Sequence, residues 1–169
     1  FAATVFVALG ATPALASSTQ ESIIEDEHQM LQLGPEARNR ALDDAATLGA
    51  DGIRIVVLWR SIAPSAEPAK RPKGFDGKNP DAYGTFAMLD SFVAGAQARG
   101  MQVLLTPTGP IPAWASRCGG SVATRRVCKP DPQLFGAFVR ALGKRYPTVK
   151  LWSIWNEPNL RSWLRPQYE

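Results

Sequence analysis

A single histidine, His28, occurs among the 169 residues, and that scarcity removes whole classes of chemistry. A histidine-rich zinc site is excluded, and a Ser-His-Asp triad would rest on that one ring. No Gly-x-Gly-x-x-Gly dinucleotide fingerprint is present. Gly74-Phe75-Asp76-Gly77-Lys78-Asn79 lacks both the glycine spacing and the hydroxyl residue after lysine that a phosphate loop needs. After residue 16 no stretch is long and uncharged enough to cross a bilayer, which takes about 20 apolar residues. Lys plus Arg outnumber Asp plus Glu by 19 to 15, yet the basic residues are scattered and not interleaved with aromatics, which argues against nucleic-acid binding. No metal, cofactor, membrane or protein partner is implied.

Cysteine is almost as scarce. Cys118 and Cys128 lie in one loop-like stretch with Gly119-Gly120. In an exported protein a local disulfide is expected, and closing so short a loop contributes about 2 to 3 kcal/mol in the chain-entropy model. Two free thiols are the other reading; neither is catalytic. Export is suggested by the opening residues FAATVFVALGATPALA, which are small, apolar and uncharged and end in Ala14-Leu15-Ala16, a pattern that signal peptidase accepts. Residues 1–16 therefore read as a secretory signal peptide whose start is expected to be incomplete, because no methionine or basic stretch precedes Phe1. Residues 17–169 suit one domain, expected to be secreted.

What is present is a repeating order of helices and strands. Helical periodicity predicts helices over about 35–48, 82–99 and 132–145. Each has boundary signals: Gly34-Pro35 and Gly49 for the first, Asp81 and Gly100 for the second, Asp131-Pro132 and Pro147 for the third. Apolar, β-branched runs predict strands at 52–59, 101–106 and 149–155, with a weaker one near 22–24. The order β-α-β-α-β-α-β implies a parallel sheet with right-handed crossovers. Strand-to-helix links, 60–80 and 107–130, are long, whereas the reverse links are short. The long loops thus gather at the carboxyl ends of the strands, where parallel α/β proteins bind ligands.

At one of those ends stands Trp152-Ser153-Ile154-Trp155-Asn156-Glu157-Pro158-Asn159. A carboxylate at the end of a buried strand is costly unless it faces water or a partner, and burial raises its pKa toward what a general acid needs. Asn156 offers an amide donor and a carbonyl acceptor to a polyhydroxylated ligand. The bland alternative is a polar strand-end turn with Glu157 solvated. If Glu157 points to the axis side of the sheet, Ser153 and Trp155 share that side, Trp152 and Ile154 face the helices, and Asn156 points away. For both polar residues to reach one sugar, the strand must bulge or end there.

The segment from Leu42 to Asn159 resembles the amino-terminal half of clan-A glycoside hydrolases, most nearly the cellulase-like proteins of glycoside hydrolase family 5. The matching pieces are Leu48-Gly49-Ala50-Asp51-Gly52-Ile53-Arg54-Ile55 running to Trp59, Ala98-Arg99-Gly100-Met101-Gln102-Val103-Leu104-Leu105, and Lys144-Arg145-Tyr146 through Trp155-Asn156-Glu157-Pro158-Asn159. The resemblance implies strands one to four of a (β/α)8 barrel, with residues 17–169 a partial catalytic domain truncated after strand four. Its implied activity is retaining hydrolysis of O-glycosidic bonds in poly- or oligosaccharides. Glu157 matches the acid/base, Asn156 the residue that hydrogen-bonds the sugar 2-hydroxyl, and Arg54 the arginine that orients the nucleophile. That nucleophile, a glutamate on strand seven, is expected in a carboxyl-terminal half beyond Glu169. A non-catalytic carbohydrate-binding or scaffold protein of the same fold is one alternative, and a small open doubly wound α/β domain of unrelated function is another.

Arg54 has a second reading as a structural partner of Glu25, Asp26 or Glu27, since a guanidinium in an apolar strand needs an anion. Trp59, Trp114 and Trp163 are candidates for sugar platforms, because a pyranose face packs on an indole; core or loop packing is the alternative for each. One departure from the family stands out. Its members often carry histidine at the end of strand three, where this chain has Thr106-Pro107-Thr108.

Overall fold

A computed structural model of the chain describes residues 19–168, so the expected signal peptide lies outside the described residues. Along the chain come β1 (Ile23–Glu25), α1 (Pro35–Thr47), β2 (Gly52–Leu58), α2 (Trp59–Ile62), α3 (Ala87–Ala98), β3 (Gln102–Thr108), α4 (Val122–Arg125), α5 (Pro132–Arg145) and β4 (Leu151–Trp152). Every strand pair is parallel, and the spatial order β1-β2-β3-β4 repeats the chain order. The fold is α/β, as expected, with a four-stranded parallel sheet. A doubly wound sheet reverses its strand order at a switch point, and no reversal occurs among the described strands. Right-handed crossovers then put successive helices on one face. Contacts agree with this: Arg99, just after α3, donates to Asp43 of α1 at 2.7 Å, and Arg145 of α5 donates to Asp90 of α3 at 2.8 and 2.6 Å.

Alternation along the strands separates two unlike faces. On β2, Ile53 and Ile55 are fully buried and Val57 nearly so, whereas Arg54, Val56 and Leu58 are half-buried. In-register neighbours share a face, so Val103, Leu105 and Pro107 extend the first row and Leu104, Thr106 and Thr108 the second. The first row packs under Leu42, Phe92, Phe138 and Leu142, each with no exposed surface. Burying such a side chain contributes about 1.5 to 3 kcal/mol, which makes the helix side the stabilising one. The second row forms the opposite face, which we label the axis side after the axis it would meet if the sheet were an arc of a barrel.

The expected helices at 35–48 and 132–145 form within a residue of their expected ends. Asp131 caps the latter by accepting from the Gln133 and Leu134 amides at 2.9 and 3.1 Å. The helix expected from 82 starts instead at Ala87. Asn79 caps a separate turn, Pro80–Ala82, and the Gly84 amide donates to the Ile62 carbonyl at 2.8 Å, so Tyr83-Gly84-Thr85 is pulled out of helical geometry. β3 runs to Thr108, beyond the expected 106, while the strand expected over 149–155 shrinks to Leu151–Trp152.

Candidate functional site

The shortening of β4 creates the candidate site. After Trp152 the chain still follows β3: the Ser153 amide donates to the Leu105 carbonyl and the Trp155 amide to the Pro107 carbonyl, both at 3.1 Å. Trp155 then adopts φ 67° and Glu157 φ 44°. That left-handed region costs a residue with a Cβ roughly 1 kcal/mol or more, so the turn has to be held by other contacts. The strand therefore ends where Asn156 and Glu157 had to be brought round. Simple alternation fails in three places. Asn156 is not turned away but joins the axis side, and Ile154, expected against the helices, is 61 % exposed. Trp155, expected on the axis side, packs instead edge-on against Phe135 of α5 at 5.2 Å. Its ring also lies close to Gly109: a Cβ there would sit 3.1 Å from the indole, a tight contact that a larger residue would relieve only by shifting the ring.

Arg54 is the hub of the axis side. Its Nε donates to Thr106 Oγ1 at 3.1 Å, its Nη2 donates to Asn156 Oδ1 at 2.8 Å, and its Nη1 makes an ion pair with Glu25. Both readings of Arg54 are thus partly realised: the structural anion is Glu25, and the same guanidinium reaches the Asn-Glu-Pro turn. Glu27 is used differently, accepting from the Val56 amide at 2.9 Å. The Asn156 amide donates to Thr108 Oγ1 at 3.0 Å. One network thereby joins β1, β2, β3 and the turn after β4. Thr106 and Thr108, both without exposed surface, went unnoticed in the sequence as partners of this network. Their signal is two-residue spacing on β3, opposite Val56 and Leu58, on the face that carries Arg54.

Glu157 is exposed, and among the described residues its carboxylate has no hydrogen-bond or ion-pair partner. Its carbonyl accepts from the Leu160 amide at 2.9 Å, closing a turn through Pro158 and Asn159. The following residues are clipped to the loop after β3. The Arg165 amide donates to the Val127 carbonyl at 2.6 Å, and the Lys129 amide donates to the Arg165 carbonyl at 2.9 Å. That clip is closed by the expected disulfide between Cys118 and Cys128, with Cα atoms 5.9 Å apart. Gln167 adds bonds to the Pro158 and Leu164 carbonyls at 3.0 and 2.6 Å.

At two of the candidate sugar platforms, Trp59 and Trp114, the core-packing alternative is the one realised. Trp59 is 1 % exposed and starts α2 instead of ending β2; it stacks on Phe138 at 5.3 Å and meets Trp114 edge-on at 5.7 Å. Trp114 is 7 % exposed, with its indole N–H donating to the Pro64 carbonyl at 3.3 Å. Neither presents a face to a ligand, because the long loops after β2 and β3 fold over an aromatic cluster that continues the core. Trp163 is half-buried within the turns after Glu157.

The same two loops are joined by charge. Glu67 accepts from Arg60 at 2.6 Å and also pairs with Arg126. Hydrogen bonds from Arg60, then from Arg126, hold the Glu67 carboxyl below its ordinary range. At Asp131 burial pushes the carboxyl up. Bonds from the Leu134 amide, Arg117 and the Gln133 amide together outweigh it, so the group stays ionised to lower pH.

Among the described residues no helix is long and apolar enough to cross a membrane. No family model matches the chain, and no curated protein matches it significantly.

Proposed function

We propose that this chain is the amino-terminal part of a secreted retaining glycoside hydrolase, with its four strands forming one arc of a (β/α)8 barrel. The observation that carries the reading is the contact, at 2.8 Å, between Arg54 on β2 and Asn156 in the turn after β4, with the free carboxylate of Glu157 next in sequence. The unreversed strand order and the polar, half-open axis side fit an arc better than a finished open sheet. The disulfide and the small, apolar opening residues fit export.

In this reading a nucleophile carboxylate, contributed by chain outside these residues, attacks the anomeric carbon. Glu157 gives its proton to the departing glycosidic oxygen. Glu157 then takes a proton from water as the water displaces the enzyme carboxylate, so the configuration is retained. The two carboxylates would stand about 5 to 5.5 Å apart. Glu25 is a poor second carboxylate, because it is already committed to Arg54. That commitment also favours one alternative, a carbohydrate-binding or scaffold protein in which the turn holds sugar without cutting it.

Assays on aryl glycosides test the proposal. Full-length protein is expected to hydrolyse them with retention and to lose activity on Glu157→Gln, while residues 17–169 alone are expected to be inactive. Binding of oligosaccharide without hydrolysis by the full-length protein would favour the alternative. Activity in the 17–169 fragment, lost on Glu157→Gln, would overturn the need for an outside nucleophile.

A further inference from the structure

Arginine can only donate hydrogen bonds, so the Asn156 atom that faces Arg54 has to be the carbonyl oxygen. The amide nitrogen, Nδ2, is left with its two hydrogens. Among the described residues it has no protein partner, and it is not one of the enclosed unpaired atoms. Its orientation depends on two bonds that come from elsewhere. Thr108 Oγ1 holds the Asn156 backbone amide at 3.0 Å, and Thr106 Oγ1 holds Arg54 Nε at 3.1 Å. Both hydroxyls sit on the last residues of β3 with no exposed surface, so water does not take their place. Asn156 is flanked by the left-handed residues Trp155 and Glu157, a backbone that relaxes unless it is pinned.

We infer that Thr106 and Thr108 are positioning residues: through Arg54 and the Asn156 backbone they fix the Asn156 side chain so that its Nδ2 faces the ligand as a hydrogen-bond donor. The identity of the ligand atom, a sugar 2-hydroxyl oxygen, rests on the glycosidase reading; the positioning rests on the hydrogen bonds alone. The threonines thus give a physical role to the segment where the resembling family often carries histidine. A donor held this way favours a ligand oxygen over an ammonium or an apolar group, because an amide N–H aimed at either is left unmade.

Two readouts on Thr108→Val, Thr108→Ser and Thr106→Val test this separately. In the ligand-free protein, Thr108→Val is expected to shift the Asn156 amide resonance and lower its hydrogen-exchange protection on the order of tenfold, the scale of one hydrogen bond. Thr108→Ser should restore both, and Thr106→Val should move the Arg54 Nε resonance. An unchanged Asn156 amide in Thr108→Val would overturn the positioning role whether or not the protein is a glycosidase. In the full-length protein, Thr108→Val should lower kcat/KM on an aryl glycoside by on the order of 10- to 100-fold, as misplaced contacts do. It should have little effect on the 2-deoxy analogue, which lacks the oxygen that Nδ2 would meet. Equal losses on both substrates would overturn the assignment to the 2-hydroxyl. A full-length protein that hydrolyses neither substrate would sink the glycosidase reading and leave the amide readout to decide the positioning.

Discussion

The two faces of the sheet are built from alternate residues of the same strands, yet they do opposite work. The helix side is closed: Ile53, Ile55 and Leu105 have no exposed surface and pack beneath an aromatic cluster centred on Trp59, Trp114 and Phe138. The axis side carries Arg54, Asn156, Thr106 and Thr108 in one polar network, with Val56, Leu58 and Leu104 half-buried beside it. Apolar burial is concentrated on one side and hydrogen-bonding side chains on the other. This division explains why two tryptophans expected at a ligand are in the core, while two threonines that looked unremarkable hold the site.

Removing bulk from each face should separate the two most clearly. Trp59→Ala or Phe138→Ala is expected to destabilise by about 3 to 5 kcal/mol, through lost burial and an unfilled cavity. Leu104→Ala on the axis side should cost about 1 kcal/mol, since a half-exposed side chain has less burial to lose. Urea midpoints would check this, and equal losses on both faces would show that the axis side is as finished as the helix side. Next in size is the clip beside the site. Replacing Cys118 and Cys128 with serine should cost about 2 to 3 kcal/mol. The same change should loosen the amides of Lys129 and Arg165, read by hydrogen exchange, before it affects the helix side.

Acid should loosen the helix side at one identifiable place. Asp90 is held below its ordinary value of 3.8 by hydrogen bonding from Arg145, opposed by burial and assisted by the Tyr146 hydroxyl. A carboxyl with a lowered folded-state pKa contributes stability above its unfolded value and loses it as pH falls through the folded value. Stability should therefore decline below about pH 4, and Asp90→Asn should flatten that decline. A pH titration of the thermal midpoint would read it. The smallest effect is expected at the site itself. Glu157→Gln should change stability by no more than about 0.5 kcal/mol, because the side chain is exposed and unpartnered among the described residues.

Much of the helix side was legible in the sequence, because periodicity and capping act locally. Asp131-Pro132 starts α5 where its side chain can reach the next amides, and Leu134, Phe138 and Leu142 fall on its buried stripe. The axis side was legible only in parts. Glu157, Asn156 and Arg54 stood out by residue type and position, and the Cys118–Cys128 disulfide by proximity. The roles of Thr106 and Thr108 depend on the register between β2, β3 and the segment after β4, which no local pattern encodes. Left-handed backbone at Trp155 and Glu157 was equally hidden, since neither residue type favours it. Trp59 stayed open for a related reason: tryptophan suits both a sugar platform and a core, and only its three aromatic neighbours Trp114, Phe135 and Phe138 decide between them.

The acid/base role proposed for Glu157 is to protonate a departing sugar oxygen. Its most direct test is the rate of full-length Glu157→Ala on aryl glycosides that differ in leaving-group acidity. A large loss is expected with poor leaving groups, which need the proton, and a much smaller loss in bond cleavage with good ones, which do not. Equal losses across the series would contradict an acid/base role for Glu157.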